Sequence, residues 1–137
     1  MVRLTTLAAA LLLVFSACSS APAATGGQIT VSLSDHTVQL LQTSVPSGPV
    51  TITVKNIGSV VHNLVVLRTN LDHDMIPHDA RDQAKADERG KVGGTTEQLK
   101  AGQSVQITLD LSAGKYVLIC NEPAHYQIGM HAPLTVN

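Results

Sequence analysis

Short runs in which apolar and polar residues alternate constrain this chain more than any other feature. Gln28-Ile-Thr-Val-Ser-Leu33 is one, Val50-Thr-Ile-Thr-Val-Lys55 a second and Ser104-Val-Gln-Ile-Thr-Leu-Asp-Leu111 a third. A period of two places alternate side chains on opposite faces of a strand and does not suit an amphipathic helix. The β-branched content of these runs favours the same conformation. Thr37 to Leu41 is a weaker run, and Lys115 to Cys120 and Ala132 to Val136 supply two more. His62 to Leu67 (HNLVVL) is apolar along most of its length, which suits a strand covered on both sides. Turn signals separate the runs: Pro46, Gly48 and Pro49, then Asn56-Ile-Gly58, then Ser112-Ala-Gly114. The pattern predicts an all-β, Greek-key β-sandwich of about seven to eight strands. Leu111-x-x-Gly114-x-Tyr116 has the spacing of a tyrosine corner, in which a phenol hydrogen-bonds back to the chain where it crosses between sheets.

One segment breaks the pattern. Asn70 to Ala101 holds 12 of the chain's 19 Asp, Glu, Lys and Arg residues. Asp79 to Arg89 (DARDQAKADER) predicts a short exposed helix with Gly90 placed to end it. The segment reads as a polar helical crossover on the sandwich surface. His73 and His78 lie within it, with Met75 between them. They could form a second, weaker metal site, but solvated surface residues are the favoured reading. His36 beside Asp35 reads as a turn residue.

The first residues read as an address. Arg3 precedes a compact apolar stretch, Leu7 to Phe15, of signal-peptide length. Phe15-Ser-Ala-Cys18 resembles a bacterial lipobox, whose cysteine is lipidated and becomes the mature N-terminus. Ordinary cleavage after Ala21-Pro22-Ala23 is the alternative. Ser19 to Gly27 is small and featureless, as a tether would be. The chain thus divides into a signal peptide (1–17), a lipid-anchor cysteine and linker (18–27), and one folded domain (28–137). Membrane contact is expected only through Cys18, because no apolar run reaches the 18 or more residues needed to span a bilayer. The charge balance, 9 basic against 10 acidic residues, argues against nucleic acid as a partner.

The chemistry concentrates in Cys120-Asn-Glu-Pro-Ala-His125-Tyr-Gln-Ile-Gly-Met130. Cys, His and Met recur at intervals of five, and Pro123 and Gly129 oppose a helix. A loop leaving the end of the Cys120 strand can instead aim all three side chains at one centre. Thiolate, imidazole and thioether are soft or borderline ligands that favour copper over magnesium or calcium. A second imidazole completes a trigonal site with a weak axial Met, the arrangement of blue-copper centres. His62, opening an apolar strand just after a turn, is the best candidate.

Two motifs, Gly58-Ser-Val-Val-His62-Asn63 and Cys120-x4-His125-x4-Met130, together resemble the cupredoxin family of plastocyanin- and azurin-like blue copper proteins. The resemblance covers roughly Gln28 to Asn137. It implies one type 1 copper ion held by His62, Cys120 and His125, with Met130 axial at longer range. It implies that Asn63 braces the loop and donates its backbone N–H to the ligand sulfur. It also implies that the outer edge of His125 is the electron port. Ala124, Ile128, Met130, Ala132 and Pro133 could then form an apolar docking patch. The sequence departs from the family in places. Four residues separate Cys120 from His125 where plastocyanin has two, and Ala124 stands where close relatives often have Gly.

The expected function is an exported, periplasmic or cell-surface carrier of single electrons between redox protein partners, acting as a monomer. A full ligand set leaves no open coordination position, so an enzyme is not expected. A copper carrier or buffer without an electron-transfer role is the alternative.

Overall fold

The structure is a computed structural model, and it describes residues 26–93 and 95–137. The signal peptide and Cys18 lie outside the described residues. Eight strands follow one another: β1 (Gln28–Leu33), β2 (Val38–Leu40), β3 (Ser44–Val45), β4 (Gly48–Asn56), β5 (Val65–Arg68), β6 (Ser104–Leu111), β7 (Gly114–Ile119) and β8 (His131–Val136). They form two four-stranded sheets, ordered β2-β1-β4-β6 and β3-β8-β7-β5. Each sheet mixes pairings. β1 runs parallel to β4, and β3 runs parallel to β8, while the remaining neighbours are antiparallel. The β-sandwich read from the alternation is therefore present. β3 was not anticipated: two residues beside Pro46 carry no periodicity to read.

The alternating runs bury one face. Ile29, Val31 and Leu33 of β1, with Val50, Ile52 and Val54 of β4, point into the space between the sheets. Leu64, Val66, Tyr116, Leu118, Leu134 and Val136 meet them from the second sheet. Burying each such aliphatic side chain contributes about 1.5–3 kcal/mol. Tyr116 Oη donates to the Ser112 carbonyl at 2.8 Å, which is the back-bonding geometry of a tyrosine corner.

The second sheet is covered on its outer side as well. Val65 and Leu67 of β5 and Val117 and Ile119 of β7 pack there with Ile76, Ala86 and Tyr126. Ile76 and Ala86 come from the crossover between β5 and β6. The apolar run before Leu67 is thus explained, since successive residues of β5 face two different cores.

The crossover itself is not helical. Residues 79–89 form turns and a bridge between His78 and Ala86. Asp79 Oδ1 accepts from Arg81 N–H and Asp82 N–H, as a helix cap would, but no helix follows. Asp82 Oδ1 accepts from Ala84 N–H instead, and Asp87 Oδ1 from Arg89 N–H. Such local aspartate bonds compete with the helical ladder. Tertiary partners take other backbone groups. The Ala84 carbonyl accepts from Ala124 N–H, and both backbone groups of Ala86 bond the Asn121 side chain. Gly90 ends nothing. With φ at 88° it lets its backbone lie against β5, where a Cβ would stand 2.5 Å from the Arg68 carbonyl oxygen.

Candidate metal centre

The pairing of β5 with β7 builds half of the site. Val65 lies opposite Ile119, so continuing that register sets Leu64 against Cys120 and Asn63 against Asn121. His62 thereby arrives beside Cys120, the residue that follows β7. Its own backbone is held by two hydrogen bonds with Leu99, at 3.1 and 2.7 Å.

The loop from Cys120 to Met130 builds the other half. His125 N–H donates to the Glu122 carbonyl, Gly129 N–H to Tyr126 and Met130 N–H to His125. Cys120 N–H donates to the Met130 carbonyl at 3.0 Å, which closes the loop on itself. Gly129 adopts φ of 106° and Ala124 φ of 68°. The glycine turns freely, whereas a left-handed alanine is strained by roughly 1–2 kcal/mol. Ala124 therefore sits at a position that favours Gly.

Three donor atoms converge. His62 Nδ1 lies 3.2 Å from His125 Nδ1, and Cys120 Sγ lies 3.6 Å from the first and 3.4 Å from the second. Three donors held about 2.1 Å from one ion in a trigonal plane stand roughly 3.6 Å apart. The geometry thus fits a single first-row ion, and the soft donor chemistry fits copper. Among the described residues this is the one group of three His, Cys, Asp or Glu side chains so arranged. Met130, fully buried, joins Cys120 and His125 through its backbone and brings a thioether to the same loop.

The surroundings tune these groups. His62 and Cys120 are fully buried and His125 is half-buried. Burial pushes the Cys120 thiol up, while the N–H groups of Glu122 and Asn63 oppose it. Asn63 N–H lies 3.5 Å from Cys120 Sγ, and Asn63 Oδ1 accepts from Asn121 N–H at 2.8 Å. Burial, followed by the neighbouring His62, pushes His125 down. His125 is therefore held as the neutral imidazole that a metal needs.

Asp35 escaped the sequence reading beyond its place in a turn. Its carboxylate accepts from Ser59 N–H and Oγ, from Val60 N–H and from His62 Nε2. Those bonds, led by the Ser59 hydroxyl, hold it well below the usual carboxylate range. It lies 27 positions before His62 in the chain, and no spacing links them.

The remaining histidines separate. His73 does not face His78. Its Nδ1 lies 2.6 Å from Nδ1 of His131, while His78 meets the Gln127 amide. The His73–His131 pair has two imidazoles and, among the described residues, no third donor of the kind that the copper-type trio gathers. Tyr126 is buried rather than part of a surface, with Oη donating to the His73 carbonyl and accepting from Ile76 N–H. The expected docking patch also needs correction. Met130 and Ala132 are buried, whereas Val60 and Val61, just before His62, are exposed together with Ile128.

The same region, residues 28–137, matches the family of copper binding proteins described as plastocyanin/azurin. The chain belongs to the plastocyanin/azurin family. Solved cupredoxins share its fold. Dithionite-reduced auracyanin from Roseiflexus castenholzii is 28% identical, over 80% of this chain and 96% of that one, with a TM-score of 0.59. Auracyanin B is 26% identical over 81% and 88%, with a TM-score of 0.58. Rusticyanin from Thiobacillus ferrooxidans is 16% identical over 82% and 79%, at 0.61, a likeness of fold alone. No curated protein matches the sequence. As a cupredoxin, the chain has in His62, Cys120 and His125, with Met130 nearby, a site that fits one type 1 copper ion.

Proposed function

We propose that this cupredoxin carries single electrons between redox proteins outside the cytoplasm, held at a membrane by a lipid on Cys18. His62, Cys120 and His125, with Met130, would hold the copper, and Asn63 would brace the loop. When bound, the copper supplies a one-electron couple. The single observation that carries the reading is the convergence of two imidazoles and one thiol to within 3.6 Å, inside a loop closed by backbone bonds.

The chain's residues favour transfer over catalysis. The β5–β7 register and the Asn63–Asn121 bond fix His62 and Cys120 before any metal arrives. A preset cage changes little when one electron arrives or leaves. Three strong donors and a thioether leave no open position for a substrate. His125 is only half-buried, which leaves the residue partly open to solvent. The exposed side chains of Val60, Val61 and Ile128 give a partner apolar surface near the two histidines in sequence. The apolar stretch and small residues before Cys18 support export and lipidation.

The test is to add one equivalent of Cu(II) to the purified protein and record visible and electron paramagnetic resonance spectra. An intense blue or green band with a small parallel hyperfine splitting is expected. A pale solution with ordinary copper splitting, from folded and reduced protein, refutes the type 1 assignment. Loss of the bound copper to a competing chelator within minutes would instead indicate a copper carrier. Replacing Cys18 with Ala should release the protein from membranes, and continued retention would contradict the anchor.

A further inference from the structure

His62 has two ring nitrogens, and they face different chemistry. Nδ1 looks towards Cys120 Sγ and His125 Nδ1. Nε2, on the far side of the ring, lies 3.3 Å from Asp35 Oδ1. A neutral imidazole carries one N–H, and an ionised carboxylate only accepts. The contact therefore places the hydrogen on Nε2 and leaves the Nδ1 lone pair facing the other two donors.

Asp35 is itself fixed. Ser59 N–H and Ser59 Oγ donate to its two oxygens at 2.7 Å each, and Val60 N–H donates at 3.3 Å. The turn that carries it is closed by Ser34 N–H to the Thr37 carbonyl and by the Ser34 and Thr37 hydroxyls. The opposing loop is tied to the end of β1, where Ile57 N–H and Gly58 N–H both donate to the Leu33 carbonyl. Gly58 completes the cradle. A Cβ there would collide with Asp35 Oδ1 and stand 2.9 Å from His62 Nε2. Only glycine leaves room for carboxylate and imidazole to meet.

We propose that Asp35 is a positioning residue of the copper centre, setting the His62 tautomer ahead of the metal and favouring Cu(II) over Cu(I). The inference rests on the type 1 reading above and adds a residue from the β1–β2 turn to it. A carboxylate bonded to a ligating imidazole makes that imidazole a stronger donor. Stronger donation stabilises the more highly charged ion, so Asp35 lowers the reduction potential. The Asp35 side chain is 33% exposed, and water screens its direct Coulomb pull. The effect therefore runs mainly through the His62 hydrogen bond.

Two measurements on the purified protein test this. The first uses metal-free protein and long-range proton–nitrogen spectra of the histidine rings. His62 should be found as the Nε2–H tautomer, and an Nδ1–H tautomer overturns the proposal. The second is the reduction potential of copper-loaded Asp35→Asn against wild type, with Ser59→Ala as the control. An amide oxygen in place of the carboxylate still accepts from His62 Nε2 but without the charge, a bond roughly half as strong, and disturbing an outer partner commonly costs metal sites at least about tenfold. Asp35→Asn should keep the blue band and lose about tenfold of the Cu(II) preference, which raises a one-electron potential by about 59 mV. Ser59→Ala removes one bond to the carboxylate but keeps its charge and its contact with His62, so it should move the potential far less. Equal shifts in both variants would mean that Asp35 only braces the turn, and an unchanged potential in Asp35→Asn would equally overturn the proposal. If Asp35→Asn fails to fold, the wild-type tautomer decides. If wild type shows no blue band, the type 1 reading falls, while the tautomer still judges Asp35 on its own.

Discussion

The side-chain oxygen of Asn63 accepts a 2.8 Å hydrogen bond from the backbone N–H of Asn121. This bond continues the β5–β7 pairing past the last regular strand residues and into the metal site. It ties the residue after His62 to the residue after Cys120.

Asn63→Ala should therefore act on stability before it acts on colour. It leaves the N–H of Asn121, a buried residue, without its acceptor, at a cost of about 1–3 kcal/mol. The Asn63 backbone N–H still points at Cys120 Sγ. A lowered denaturant midpoint with the blue band retained is the expected result. An unchanged midpoint would show that water replaces the side chain.

Ala124→Gly should stabilise the protein. Ala124 is exposed and holds φ at 68°, a conformation that glycine adopts without strain. Relief of roughly 1–2 kcal/mol outweighs the extra unfolded-state freedom of glycine, roughly 0.5–1 kcal/mol. A modest rise in thermal midpoint with unaltered copper spectra is expected. A fall would mean that the Ala124 methyl contributes packing that the backbone geometry does not reveal.

Tyr126→Phe separates the loop's anchor from its metal chemistry. Tyr126 is 5% exposed, and its hydroxyl joins Ile76 N–H to the His73 carbonyl. Its removal leaves a buried N–H unpaired, at about 1–3 kcal/mol. Thermal unfolding should shift down while the visible band stays in place. A changed band would show that the crossover segment also shapes the copper site.

Met130→Leu tests the axial role. Leucine fills the buried space but offers no sulfur. Copper should remain bound, because His62, Cys120 and His125 are intact, and the potential should rise if the Met130 thioether would otherwise donate to Cu(II). Direct electrochemistry on the two proteins measures this, and equal potentials would remove Met130 from the ligand set.

The sequence by itself determined the sandwich and the candidate metal-binding residues. Alternation in β1, β4 and β6 fixes which side chains face inward, because a strand's side-chain period is two whatever its neighbours are. The spacing of Cys120, His125 and Met130 declares its chemistry because all three sit on one loop, and only His62 had to be fetched from elsewhere. Tertiary structure decided the rest. Asp79 to Arg89 has helical composition, yet Ala124, Asn121 and its own aspartates claim its backbone groups, and an isolated helix of that length is too weak to resist them. The partner of His73 proved to be His131 and not His78, since β8 and the crossover meet only in three dimensions. Asp35 came to lie against His62 for the same reason. Its link to His62 crosses from the β1–β2 turn to the loop before β5, and such contacts follow from how strands pair, which no local pattern in the chain records.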